Sequence, residues 1–243
     1  MHTQHSTRYQ LFIQTRHPQE VSDFFHVFNT SNILNVVYWK EYFDMVRNVQ
    51  GDIVECGIGR GRSLLTILAL ESLLRTFDGY TPRIIHALDS FEGFPEPTAE
   101  DASPRNPLQG EWSHSPNGHF KYSIANLHEI INKANISKSV HDELILIKGF
   151  FHKTAHQVTA QKIAILHLDS DLYTSVKIPL TMLADRVAPN GIIVLDDYLL
   201  DDPQENSEPF PGARRAVTEF LQDRSDFQLN TSIRGTPYLI KTA

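Results

Sequence analysis

Acidic residues close two successive apolar runs in this 243-residue chain. Asp169 follows Ile163–Leu168, and Asp196-Asp197 follow residues 191–195. If the two runs are neighbouring parallel strands, these acids lie side by side at the carboxyl edge, where open α/β sheets bind ligands. Three carboxylates brought together repel one another unless a cation neutralises them. An all-oxygen set selects a hard divalent ion, Mg²⁺ before Ca²⁺ or Mn²⁺, with water or substrate oxygens completing the shell. The plainer alternative makes Asp169, Asp171, Asp196 and Asp197 separate solvated loop acids. Two acid clusters closing adjacent apolar runs favour the metal.

A second constellation lies upstream, in Glu55-Cys56-Gly57-Ile58-Gly59-Arg60-Gly61-Arg62-Ser63. Gly57, Gly59 and Gly61 permit a sharp turn and close approach to a ligand, and a helix starting at Ser63 presents free N–H groups. The spacing departs from the dinucleotide fingerprint G-x-G-x-x-G, because the third glycine comes one residue early. Glu55, two residues before the first glycine, repels a pyrophosphate but suits a cationic ligand such as the amino or sulfonium group of S-adenosylmethionine. Asp89 ends the next apolar run, where a ribose receives hydrogen bonds on its hydroxyls. The expected donor-binding residues are therefore Glu55, Gly57, Gly59, Arg60, Gly61, Ser63, Asp89 and Ser90. His167, inside an apolar run, reads as a hydrogen-bonded core histidine, and Cys56 as a small buried residue beside an acid that raises its pKa.

These residues need strands and helices to position them. Apolar positions recur at three and four over residues 20–49, which predicts two helices before the first strand. Strands are expected at Asp52–Cys56, 83–88, 143–148, Ile163–Leu168 and 191–195, and helices at 63–76, 122–134, 175–187 and 212–223. Pro189-Asn190-Gly191 reads as a stop and turn signal before the fifth strand. Alternating strands and helices demand a parallel sheet covered on both faces. Two late strands, 226–229 and 238–241, suit an antiparallel edge. Residues 92–118, with five prolines and three glycines, read as a loop closing over a site, mobile when empty. The expected organisation is a single domain overall, with an N-terminal arm and helical cap over 1–49, the main α/β body over 50–243 and residues 92–118 as its lid loop.

Composition sets the outer limits. Hydrophobic residues make up 41% and charged residues 21%, which is ordinary globular usage. The net charge of −7 leaves no broad basic face, so nucleic acid is not an expected partner. No apolar run approaches the roughly 20 residues of a membrane-spanning helix. The one cysteine and the polar stretch after Met1 point to a soluble protein of a reducing compartment, the cytoplasm.

Five stretches together resemble the macrocin-type sugar O-methyltransferases of antibiotic biosynthesis. They are Gly51-Asp52-Ile53-Val54-Glu55-Cys56-Gly57-Ile58-Gly59-Arg60-Gly61, Asp89-Ser90-Phe91-Glu92-Gly93-Phe94-Pro95, Leu168-Asp169-Ser170-Asp171-Leu172-Tyr173, Pro189-Asn190-Gly191-Ile192-Ile193-Val194-Leu195-Asp196-Asp197-Tyr198 and Gly212-Ala213-Arg214-Arg215-Ala216-Val217. The resemblance implies a Rossmann-like S-adenosylmethionine methyltransferase fold. It also implies Mg²⁺ on Asp169, Asp196 and Asp197, with methylation of a sugar or other vicinal-diol hydroxyl on a small molecule or glycan. A homodimer is implied as well. Asp169 is the expected proton acceptor. A metal-dependent phosphohydrolase and a non-catalytic S-adenosylmethionine-binding module are the rival readings; the first leaves the Glu55 and Asp89 pair without a purpose.

Overall fold

The computed structural model describes residues 30–77, 79–114, 121–198 and 208–242. The first of the two helices expected before the sheet lies outside the described residues. The second is α1 (Thr30–Met45), followed by β1 (Asp52–Cys56), α2 (Arg62–Leu74) and β2 (Ile85–Asp89). Next come α3 (Ile124–Lys133), α4 (Lys138–Glu143), β3 (Ile145–Lys148), α5 (Phe151–Thr154) and β4 (Ile163–Leu168). The chain ends with α6 (Tyr173–Leu183), β5 (Val187–Leu195), α7 (Pro211–Gln222), β6 (Phe227–Thr231) and β7 (Pro237–Lys241). The short helices α4 and α5 carry no separate sequence signal and were not expected.

One seven-stranded sheet runs in the order β3-β2-β1-β4-β5-β7-β6. Strands β1 to β5 are parallel, while β7 pairs antiparallel with β5 and with β6, as the two late strands predict. Every residue of β4 is buried, which is what a parallel strand covered on both faces requires. One face is covered by α1 through Tyr38, Trp39, Tyr42 and Phe43, together with Ile67 of α2, Leu127 and Ile131 of α3 and Val140 of α4. The other is covered by Phe151 of α5, Val176 and Leu180 of α6, and Ala213, Ala216 and Val217 of α7. Each large apolar side chain so buried contributes about 1.5–3 kcal/mol. Helix α1 therefore shares the core of the sheet.

The Pro189-Asn190-Gly191 signal is corrected. Strand β5 begins at Val187 and runs through it, and its register against β4 slips, with Ile163 opposite Val187 but Ile165 opposite Ile192. The intervening residues bulge out, and a bulge is where a strand tolerates a proline that cannot donate to the ladder.

Residues 92–114, the described part of the expected lid, make contacts that their composition does not reveal. Phe94 N–H donates to Glu111 O at 2.9 Å and Gly110 N–H to Phe94 O at 3.0 Å. Asp101, 1% exposed, accepts from the Thr98 amide through Oδ2 at 2.8 Å and from the Tyr173 amide, at the start of α6, through Oδ1 at 2.7 Å. Gly212 at the start of α7 approaches so closely that a Cβ there would lie 2.0 Å from Asp101 Oδ1. The Arg105 guanidinium lies over the rings of Phe210 (4.7 Å) and Phe94 (5.7 Å). A buried carboxylate and a stacked cation thus fasten this segment to two helix starts, features that proline and glycine content does not reveal.

Candidate active site

The ends of the parallel strands are laced in a row by backbone hydrogen bonds. Gly57 N–H donates to Leu88 O, Asp169 N–H to Cys56 O and Asp196 N–H to Leu168 O, at 2.9, 3.0 and 3.0 Å. Gly57 admits no side chain, since a Cβ would lie 1.7 Å from Asp169 O. The glycine turn is therefore pressed against the end of β4, and this contact brings the two sequence constellations into one place.

That place is a cavity of about 790 Å³. Gly57, Gly59, Arg60, Ser63, Asp89 and Ser90 line it on one side, and Asp169, Asp171 and Asp196 on the other. Gly61 stands just behind the lining as the left-handed N-cap of α2, with φ 80°. A ligand of nucleoside size fits this volume, and the exposed start of α2 supplies free N–H groups toward it. Asp89 grips the turn: Oδ2 accepts from the amides of Ile58 (2.8 Å) and Gly59 (3.0 Å), and Oδ1 from that of Phe91 (2.6 Å). Its carboxylate holds the donor turn in shape as well as facing the cavity.

Glu55 is placed differently from expectation. It does not line the cavity but is fully buried in β1, opposite His167 of β4, and its Oε1 lies 3.3 Å from His167 Nδ1. Burial drives the Glu55 carboxyl pKa up, and the His167 hydrogen bond only partly opposes this. For His167, burial disfavours the charged ring, but the hydrogen bond and charge of Glu55, with Asp169 and Asp196, outweigh it and push the pKa up to about 9. The pair lies beneath the site, with Trp39 edge-on to the imidazole. Glu55 Oε2 and His167 Nε2 are buried without a hydrogen-bond partner.

The acids divide into two groups. Asp169 and Asp196 face the cavity from adjacent strand ends, and Asp171, with φ 59°, faces it from the turn after β4. Asp197 is not in the lining; its Oδ2 accepts from the Ser170 and Asp171 amides at 3.0 and 2.8 Å and so shapes that turn. Lost solvation, then Asp196 and Asp197, raise Asp169 well above the carboxylate range. Lost solvation and Asp197 push Asp171 up to about 8, with Arg105 opposing. Lost solvation and Asp196 push Asp197 to about 6 against the pull of its two amides. Such mutual elevation is what buried, crowded carboxylates show.

Among the described residues no group of three or more His, Cys, Asp or Glu side chains is arranged to hold a metal ion. The expected three-carboxylate cage is thus formed only in part, because Asp197 is engaged with backbone amides. The donor chemistry still fits Mg²⁺, which binds through one or two carboxylates and keeps several waters. Asp169 and Asp196 are the two carboxylates that face the cavity from adjacent strand ends.

Sequence reasoning missed three groups on the cavity wall. Arg234, on the turn between β6 and β7, lies 3.4 Å from Asp196 and 4.9 Å over the Tyr38 ring. Burial, then the charge of Asp196, holds the Tyr38 hydroxyl up at about 12. Trp112 joins them from the anchored segment. Arg234 and Tyr38 lie far in sequence from any motif; Trp112 lies in the stretch 92–118 read as a loop over a site, but nothing local singles out that residue.

Comparison with known proteins adds an independent line. The family model described as Macrocin-O-methyltransferase (TylF) matches residues 41–225. The chain is 30% identical over 153 residues to the 8-demethyl-8-(2,3-dimethoxy-alpha-L-rhamnosyl)-tetracenomycin-C 4'-O-methyltransferase of Streptomyces olivaceus, covering 63% of this chain and 55% of that protein. It is 26% identical over 175 residues to the Mycinamicin III 3''-O-methyltransferase of Micromonospora griseorubida, covering 71% and 61%. The chain thus spans little more than half the length of these curated relatives. Among solved structures, the calicheamicin methyltransferase CalS11 superposes with a TM-score of 0.72 at 22% identity, over 98% of this chain and 91% of that one. This likeness shows a Rossmann-like methyltransferase fold.

Proposed function

The chain belongs to the macrocin-O-methyltransferase (TylF) family, and from that premise we propose that it transfers the methyl group of S-adenosylmethionine to a sugar hydroxyl of a natural product or glycan, with Mg²⁺. The observation that carries this reading is the single cavity shared by the glycine turn and Asp89 on one side and by Asp169, Asp171 and Asp196 on the other. A metal-dependent phosphohydrolase would use the acids but leave the donor turn idle. The relative named as a rhamnosyl-tetracenomycin-C 4'-O-methyltransferase favours a sugar acceptor.

In this reading Gly57, Gly59, Arg60, Ser63, Asp89 and Ser90 hold the donor, whose sulfonium makes the methyl carbon open to displacement. Mg²⁺, when bound at Asp169 and Asp196, would lower the pKa of a coordinated hydroxyl. Asp197 adds charge from behind and keeps the Ser170–Asp171 turn in shape. Asp169 takes the hydroxyl proton as the oxygen bonds to the methyl carbon and the carbon–sulfur electrons return to sulfur. Asp171 faces the same space from the turn after β4. Positioning supplies most of the rate, since a held nucleophile and donor avoid the entropy of encounter. Glu55 acts from beneath by fixing His167 under Asp169.

A cytoplasmic homodimer belongs to the same reading; among the described residues no helix is long and apolar enough to cross a membrane. Calorimetric titration with S-adenosylhomocysteine, paired with methyl-transfer assays on rhamnosides with EDTA or Mg²⁺, tests it. Donor-product binding with transfer only in Mg²⁺ supports the proposal. Absence of donor-product binding would sink it.

A further inference from the structure

We propose that Trp112 is the platform on which the acceptor's pyranose ring stacks, an assignment that rests on the sugar-hydroxyl reading above. The chain has two tryptophans, and they are opposites. Trp39 is 0% exposed, with its ring edge-on to His167 at 4.9 Å. Trp112 is 45% exposed and lines the cavity that also contains Asp169, Asp171 and Asp196.

Its backbone is unusual too. Trp112 sits at φ 62°, in the left-handed region that bulky residues avoid and that, when populated, clusters at ligand sites. Its neighbours force the conformation. Glu111 O accepts from Phe94 N–H, and the Glu111 carboxylate is held by Arg105 at 2.7 Å and by the Leu108 amide at 3.1 Å. On the other side, Ser113 N–H donates to Gly110 O and Ser113 O accepts from Tyr122 N–H. Both flanks are tied down while the indole is left on the cavity wall.

A half-exposed indole on a left-handed backbone is unfavourable twice over. Covering the ring with an apolar surface offsets this. The C–H face of a pyranose is such a surface, and its equatorial hydroxyls then point outward to polar groups. Asn35, Gln109 and Asp196 offer these groups in the same cavity. Stacking fixes the tilt of the sugar, so Trp112 determines which hydroxyl reaches the acids.

The test uses protein saturated with S-adenosylhomocysteine and titrated with methyl α-L-rhamnopyranoside, read by tryptophan emission and by calorimetry. Wild type is expected to show a saturable emission change that Trp112→Phe lacks, because buried Trp39 does not respond. Rhamnoside affinity should fall at least fivefold in Trp112→Ala and be largely retained in Trp112→Phe. S-adenosylhomocysteine affinity should be equal in all three proteins, which shows that the variants are folded. Equal rhamnoside affinity in Trp112→Ala and wild type overturns the platform and leaves the sugar reading standing. A wild type that binds S-adenosylhomocysteine but no rhamnoside overturns the sugar reading, and the platform with it.

Discussion

At the scale of single residues, environment decides which of several similar side chains does chemistry. Cys56 sits at the end of β1 beside the site, yet burial and then the Glu55 charge raise its thiol pKa. It should therefore resist a thiol reagent such as Ellman's at pH 8 in the native protein and react fully in denaturant; native labelling at a comparable rate would contradict the buried position. Asp89 accepts three backbone hydrogen bonds, and charge-assisted bonds of this kind are each worth about 1.5–3 kcal/mol. Asp89→Ala should loosen the donor turn and weaken S-adenosylhomocysteine binding at least tenfold, measured by calorimetry. For the proposed metal, Asp169→Asn and Asp196→Asn should each shift the Mg²⁺ dependence of methyl transfer to much higher concentration. The double variant should lose little more, since groups acting as a unit are not additive.

At the scale of elements, Asp101 joins three pieces of chain that are distant in sequence. It closes the turn at Thr98, accepts from the first amide of α6 and leaves room only for Gly212 at the start of α7. Asp101→Ala leaves the Thr98 and Tyr173 amides unsatisfied, which should lower stability by about 2–4 kcal/mol in urea unfolding. Amide exchange should quicken first in residues 98–101 and at Tyr173. Gly212→Ala should cost about 1–3 kcal/mol through the clash at Asp101. If both variants match wild type in stability, the segment is not fastened in this way.

At the scale of the whole molecule, the sheet separates the two halves of the site. The residues proposed to hold the donor stand at the ends of β1 and β2, and the acids at the ends of β4 and β5. Ligands for the two halves should then stabilise the fold nearly independently. A ligand at 100 times its dissociation constant adds about 2.7 kcal/mol. S-adenosylhomocysteine should raise the melting temperature in EDTA, and Mg²⁺ should raise it further by relieving repulsion among the acids. A melting temperature indifferent to Mg²⁺ would argue against a cation among those carboxylates.

The order of strands and helices and the antiparallel tail could be read from the sequence, because apolar periodicity and turn residues are local properties. So could the placement of Gly57, Asp89, Asp169 and Asp196 at strand ends, since an acid or glycine after a short apolar run marks the point where a buried strand meets solvent. Whether a given carboxylate faces the cavity was decided only by the tertiary structure. Glu55 precedes the glycine turn by two residues, but its register opposite His167 turns it into the core. Asp197 follows Asp196 directly, yet amides from a different strand's turn claim it. The roles of Trp112, Arg234 and Tyr38 also depended on the fold, because each reaches the cavity from an element far along the chain. Side-chain direction and long-range pairing arise from how elements pack, and no window of sequence contains both partners.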